Sequence, residues 1–291
     1  MLSVNELEKL EKKALHQRKM NDLGDTTPIG EKIFSIIESV YSAYVLLYPL
    51  QTKRVAGFTR KQGDLLQVFV NTSFNNSFQN FAAAHELYHL IDFKEKDEDK
   101  FIVCDNKDID ENMDETSTMV DELKANYFAA AFLMPRSVIV ERFSKMITSH
   151  FAVEDVILEI LKIQYEYEIP FKTILKRLLE TKMVSQAQYE KLVSYDTRVV
   201  EFCRMLDETM CAKVKNLECQ SRRKYHTLNV PKLAIDAYRS SIISVAKLES
   251  IIGDYDKTLE DFQVVRPIIK PIVFDLSDFG AGEVEEGANE D

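Results

Sequence analysis

Apolar positions along the chain switch between two periods. Residues 1–28 are mostly polar, with Leu7, Leu10 and Leu23 as sparse apolar points, and they predict a loosely packed helix ending near Gly24 and Pro28. Ile33, Ile36, Ile37 and Val40 follow at helical spacing. Residues 41–50 read as a strand, rich in Tyr, Val and Leu with Pro49 near the end. Residues 54–59 and 65–71 predict two more strands, and Gly63 between them suits a hairpin. A helix is expected over 75–92, a charged surface loop over 93–115, and a second helix over 116–134, closed by Pro135. From Arg136 the pattern is helical for most of the remaining chain.

These elements predict an α+β fold: a small, mainly antiparallel sheet with one central helix, followed by mostly helical accessory units. The expected divisions are a helical extension over 1–28, a core over 29–150, a helix-turn-helix-like unit over 151–195 and a helical domain over 196–274. Residues 275–291 hold seven acids and no base, with Gly280, Gly282 and Gly287, and predict a disordered tail.

Composition narrows the function classes. The 291 residues carry 37 Lys+Arg against 48 Asp+Glu, a net charge of −11, which disfavours non-specific nucleic-acid binding. No apolar run is long enough to span a bilayer, and the first residues lack the apolar stretch of a secretory signal. Four Cys do not make a disulfide framework. The expectation is a reduced, cytoplasmic protein without membrane contact.

One pentapeptide carries chemistry. His85-Glu86-Leu87-Tyr88-His89 is an HExxH pattern. On a helix the two histidines share a face and can hold one Zn²⁺, while Glu86 can reach a water beside it. A helix with two polar-face histidines is the plain alternative. The flanks Phe81-Ala82-Ala83-Ala84 and Leu87, Leu90 and Ile91 are apolar, so this helix suits burial. Burying His, Glu and His without a partner is costly, and a metal resolves that conflict. The strand before the helix could be an edge strand that holds an extended peptide. A catalytic zinc usually takes a third protein ligand. Glu122 is the best candidate, with Asp121 and Glu115 as rivals. Glu122 and Asn126 lie i,i+4 on one face, and Ala125 and Ala129 to Ala131 permit close helix approach.

Together, these residues resemble the ImmA/IrrE metallo-endopeptidases over about 28–192. The resemblance rests on Asn71, on Phe81-Ala82-Ala83-Ala84-His85-Glu86-Leu87-Tyr88-His89, and on Glu122-Leu123-Lys124-Ala125-Asn126-Tyr127-Phe128-Ala129 with Leu133-Met134-Pro135. It implies His85, His89 and Glu122 as ligands of one zinc per chain, and Glu86 as catalytic acid/base. Two positions depart from the family pattern. Tyr88 stands where Gly is usual, and Asn80 where Arg is frequent. The acid-rich insertion at 93–115 could cover the site. Family members cleave transcriptional repressors in prokaryotic regulation, often on phage or mobile elements. The implied partner is therefore a protein substrate, such as a helix-turn-helix repressor or an antitoxin.

Two further functional classes stand beside this one. The first is a protein-binding module that keeps the fold with little or no catalysis; the second is a DNA-binding regulator using the C-terminal helices, which the net charge disfavours. Tyr88, Tyr127 and His150 are candidate oxyanion donors, and Asn126 a candidate to orient a ligand. Cys203, Cys211 and Cys219 recur every eight residues, with His226 seven further on. That spacing lacks the close Cys pairing of common zinc sites and suits buried structural thiols. Ser221-Arg222-Arg223-Lys224 reads as a solvated turn, and Lys176 and Arg177 are too few to track phosphates.

Overall fold

The computed structural model describes residues 2–94, 98–105, 117–149, 152–228 and 230–266. The expected acidic tail over 275–291, Glu115 and His150 lie outside the described residues. The architecture is α+β, as the periodicities predict. Five strands form one sheet in the order β4-β2-β3-β1-β5. They are β1 (Tyr44–Tyr48), β2 (Val55–Gln62), β3 (Leu65–Asn71), β4 (Lys100–Asp105) and β5 (Tyr225–His226). Strands β2 and β3 form the expected hairpin, with Gly63 at φ +54°, and Phe58 stacks on its partner Phe69. Strand β1 runs parallel to β3, while the other pairings are antiparallel.

Two expectations about the sheet change. The segment over 93–115 is not only a surface loop, because β4 lies within it and pairs with β2, Thr59 opposite Ile102. The strand before the central helix is also not an edge. β3 sits between β2 and β1, and β4 takes the edge beside β2. Both features depend on pairing between distant segments, which local periodicity does not report.

Helix α1 (Val4–Met20) starts with a capping box between Ser3 and Glu6. It packs less loosely than its sparse apolar points suggest. Arg18 is fully buried and donates to the carbonyls of Gly24, Thr27 and Phe132. Helix α2 (Lys32–Ser39) buries Ile33, Phe34, Ile36 and Ile37. Helix α3 (Asn76–Lys94) is buried on nearly every side, between strands β2 and β3 and helix α4 (Ser117–Leu133). The run Ala82-Ala83-Ala84 lets the layers approach.

Helices α5 (Arg136–Ser149), α6 (Val153–Tyr167), α7 (Phe171–Glu180) and α8 (Gln186–Val193) follow. The buried faces of α6 and α7 join the same hydrophobic core as the sheet. Arg177 is no surface cation. It is buried, donates to Glu11, Glu180 and the Met134 carbonyl, and lies over the Tyr127 ring. A short turn α9 (Val199–Phe202) and α10 (Glu208–Leu217) precede β5. Residues 1–233 form one compact unit. Residues 234–291 form another, whose described part contains most of α11 (Val230–Arg239) and all of α12 (Val245–Gly253) around Ala234, Ile235, Leu248 and Ile252. No helix among the described residues is long and apolar enough to cross a membrane.

Candidate metal centre

The HExxH segment lies in the middle of α3, one turn of helix separating His85 from His89. Helix α4 brings Glu122 against it. The Nε2 atom of His85 is 2.9 Å from Glu122 Oε2, His89 Nε2 is 3.4 Å from Glu122 Oε1, and the two Nε2 atoms are 3.3 Å apart. Zinc bonds of about 2.0–2.1 Å in a tetrahedron separate neighbouring ligand atoms by about 3.3 Å. The two imidazole nitrogens therefore have the spacing of neighbouring tetrahedral donors, and Glu122 meets each of them with a different oxygen. Four features of the cluster fit an ion: two imidazole nitrogens, one carboxylate, near-complete burial and a fixed tautomer. Asn126 Oδ1 lies 2.9 Å from His85 Nδ1, so the amide oxygen accepts the Nδ1 proton and Nε2 is the nitrogen that would offer its lone pair to a bound ion. This is the orienting contact for which Asn126 was a candidate.

Glu86, next to His85 on α3, reaches toward β2. Thr59 Oγ1 donates to Glu86 Oε2 at 2.7 Å. The second oxygen, Oε1, is buried with no hydrogen-bond partner. A buried carboxylate oxygen without a donor is costly, and such an atom marks a place where a water or reacting group is handled. Gly57 makes the room. A Cβ there would lie 2.8 Å from Glu86 Oε1 and 2.8 Å from the Phe69 carbonyl oxygen.

The rival ligand Asp121 points away, paired with Lys124 at 3.1 Å and largely exposed. Tyr127 turns its hydroxyl to Glu11 at 2.9 Å, away from an oxyanion role. Tyr88 sets its ring edge-on to His89 and under the Lys13 ammonium. Asn80 donates to the Glu168 carbonyl at 2.9 Å and ties α3 to the end of α6. Cys203 and Cys211 are buried neighbours with sulfurs 2.8 Å apart, as buried thiols were expected to be, whereas Cys219 is exposed.

Residues 40–179 match a peptidase family model described as the IrrE N-terminal-like domain. This segment belongs to the ImmA/IrrE metallopeptidase family. The ImmA/IrrE segment contains β1 to β4, helices α3 to α6 and α7 up to residue 179, and so all of the donor cluster. No curated protein matches the chain.

The charges in the ImmA/IrrE site are strongly coupled. Burial opposes a charge on Glu122, but hydrogen bonds and charge from His85 and His89 outweigh it and hold the carboxyl down to about 2. Burial also opposes a charge on His85, yet Cys104, Glu122 and Glu86 raise its pKa well above the ordinary value. Burial raises the Glu86 pKa, against His85, His89 and Thr59. A divalent cation would satisfy the same carboxylates that the imidazoles otherwise neutralise.

Sequence reasoning missed three residues here. Thr59 and Gly57 contact Glu86 from β2, and Cys104 reaches the cluster from β4. Ligand atoms of His85, Cys104 and Glu122 all lie within 4.8 Å of one another. In the sequence, Cys104 is an ordinary apolar-sized residue in a charged insertion, and only its pairing opposite Gly57 carries it to α3.

Proposed function

We propose that the chain is a zinc-dependent endopeptidase that cleaves a regulatory protein, such as a helix-turn-helix repressor or an antitoxin, in the cytoplasm to relieve repression. His85, His89 and Glu122 would hold one Zn²⁺, and Glu86 would be the catalytic acid/base. The observation that carries the reading is the buried, unpartnered Oε1 of Glu86, on the same helix as the two histidines of a close three-residue donor cluster. When bound, the ion supplies Lewis acidity. Thr59 orients the Glu86 carboxylate and leaves Oε1 free to accept a proton from the attacking water. Glu86 then returns that proton to the departing amine. The raised pKa of Glu86 suits both halves of that transfer.

Two measurements test this. The purified chain should contain about one zinc, lost in His85→Ala and in Glu122→Ala. Co-expression with candidate repressors should yield a discrete fragment, and Glu86→Gln should slow cleavage about 10²–10⁴-fold while retaining metal. A chain that takes up neither Zn²⁺ nor Mn²⁺ would refute the peptidase reading. A second reading, binding of a partner without cleavage, draws on the burial of His85, Glu86, His89 and Glu122, which leaves little room for a substrate chain. On that reading Glu86→Gln leaves function unchanged.

A further inference from the structure

Burial of this centre raises a question that ligand identity alone does not answer. A peptidase must admit an extended chain, yet the cluster is closed, and one of the groups closing it is a fourth potential donor. Cys104 is 1% exposed, and its sulfur belongs to the same cluster of ligand atoms as His85 and Glu122. We infer that Cys104 is a fourth, thiolate ligand that completes the coordination sphere and holds the enzyme latent until strand β4 is displaced. The inference rests on the proposed zinc site.

The chemistry follows from the donor count. Catalytic zinc keeps one coordination position for water, whereas closed four-ligand sites are structural. Two imidazoles, one carboxylate and a thiolate make a closed set. Thiolate is a favoured ligand for zinc, and binding converts the Cys104 thiol to thiolate with release of one proton. Reversal is a ligand exchange. On release the Cys104 sulfur would recover a proton from solvent, with no electron transferred.

The fold supplies a removable carrier for that sulfur. Strand β4 is an edge strand bonded to β2 on one side only. Phe101 and Val103 are 59% and 41% exposed, and Cys104 is the strand's one fully buried side chain. The register shifts between Val55 and Gly57, opposite Asp105 and Cys104, so a bulge re-aims the strand at the cluster. Thr59 and Gly57 of β2 touch Glu86. Withdrawal of β4 would expose the β2 edge directly above Glu86, where an extended substrate could pair in its place. The unpartnered Glu86 Oε1 is buried against Gly57 of the same β2 strand.

The full-length chain is loaded with Co²⁺ in place of zinc, and its near-ultraviolet absorption is recorded beside Cys104→Ser and Cys104→Ala. The expected result is one cobalt per chain with an intense thiolate-to-cobalt band in the wild type, lost in both variants although cobalt remains bound. One bound cobalt without that band, or a band unchanged in Cys104→Ala, would overturn the inference and leave the proposed zinc site standing. A wild-type chain that binds no metal would overturn both. The wild-type spectrum is decisive even if a variant fails to fold.

Discussion

Gly57 and Asn126 are two small decisions at the edge of the metal cluster, and each makes a testable difference. Gly57→Ala drives a methyl group into Glu86 Oε1 and into the Phe69 carbonyl. The carboxylate can swing aside, but the carbonyl is pinned in the β2–β3 pairing. The expected outcome is a loss of about 1–3 kcal/mol by urea unfolding, with cleavage lost and metal retained. Asn126→Ala removes the acceptor that fixes the His85 tautomer. Zinc affinity should weaken about 10–100-fold in competition with a chromophoric chelator. Asn126→Asp, which keeps an acceptor there, should recover most of it. His85 and His89 were legible as a pair because i,i+4 positions share a helix face whatever the tertiary context. Gly57 was not, because the space it leaves exists only where β2 crosses α3.

At the scale of elements, two attachments hold the frame around the site. Arg18 links α1 to the loop over residues 24–27 and to the last turn of α4 through three carbonyls. A guanidinium is suited to this, since its donors spread in a fixed fork. Arg18→Ala leaves buried carbonyls unsatisfied, and the expected cost is about 3 kcal/mol or more by denaturant unfolding. The second attachment is β5, which pairs with β1 and places His226 opposite Leu46. Burial lowers the His226 pKa below the ordinary value of 6.5. The unfolded segment therefore takes up a proton first as the pH falls. Stability drops once the pH passes below the ordinary value, and the drop levels off below the folded-state pKa. The protection factor of the Thr227 amide, which donates to the Val45 carbonyl, should fall over that window when hydrogen exchange is corrected for the intrinsic rate at each pH. His226→Gln should remove the pH dependence.

Across the whole molecule, the donor cluster bridges the two central helices of the core. The proposed ligands His85 and His89 come from α3 and Glu122 from α4, so an ion bound there would also be a cross-link. Ligand binding to the folded state alone stabilises by about 2.7 kcal/mol at a hundred times Kd. For a compact unit of this size, chelation with 1,10-phenanthroline should lower Tm by roughly 5–10 °C. Re-addition of zinc should restore it. An unchanged Tm after verified metal removal would mean that no ion bridges these helices. Charge acts at this scale as well. With a net charge of −11, the intact chain is expected to show no measurable affinity for duplex DNA by anisotropy at moderate salt.

Short-range pattern in the chain determined the hairpin of β2 and β3, the central helix, the helix that carries Glu122 and the donor types at His85, Glu86 and His89. Each of these depends on residues within a few positions of one another, where helix and strand periods act directly. Tertiary structure decided the rest. It turned a charged insertion into an edge strand and gave β3 a central place in the sheet. It buried Arg18 and Arg177 against distant carbonyls and carboxylates, and it selected Glu122 over Asp121 by facing one inward and the other to solvent. It also delivered Cys104 to the cluster. Non-local strand pairing and helix contact set those outcomes, and their energies come from neighbours far away in the chain, which no local pattern records.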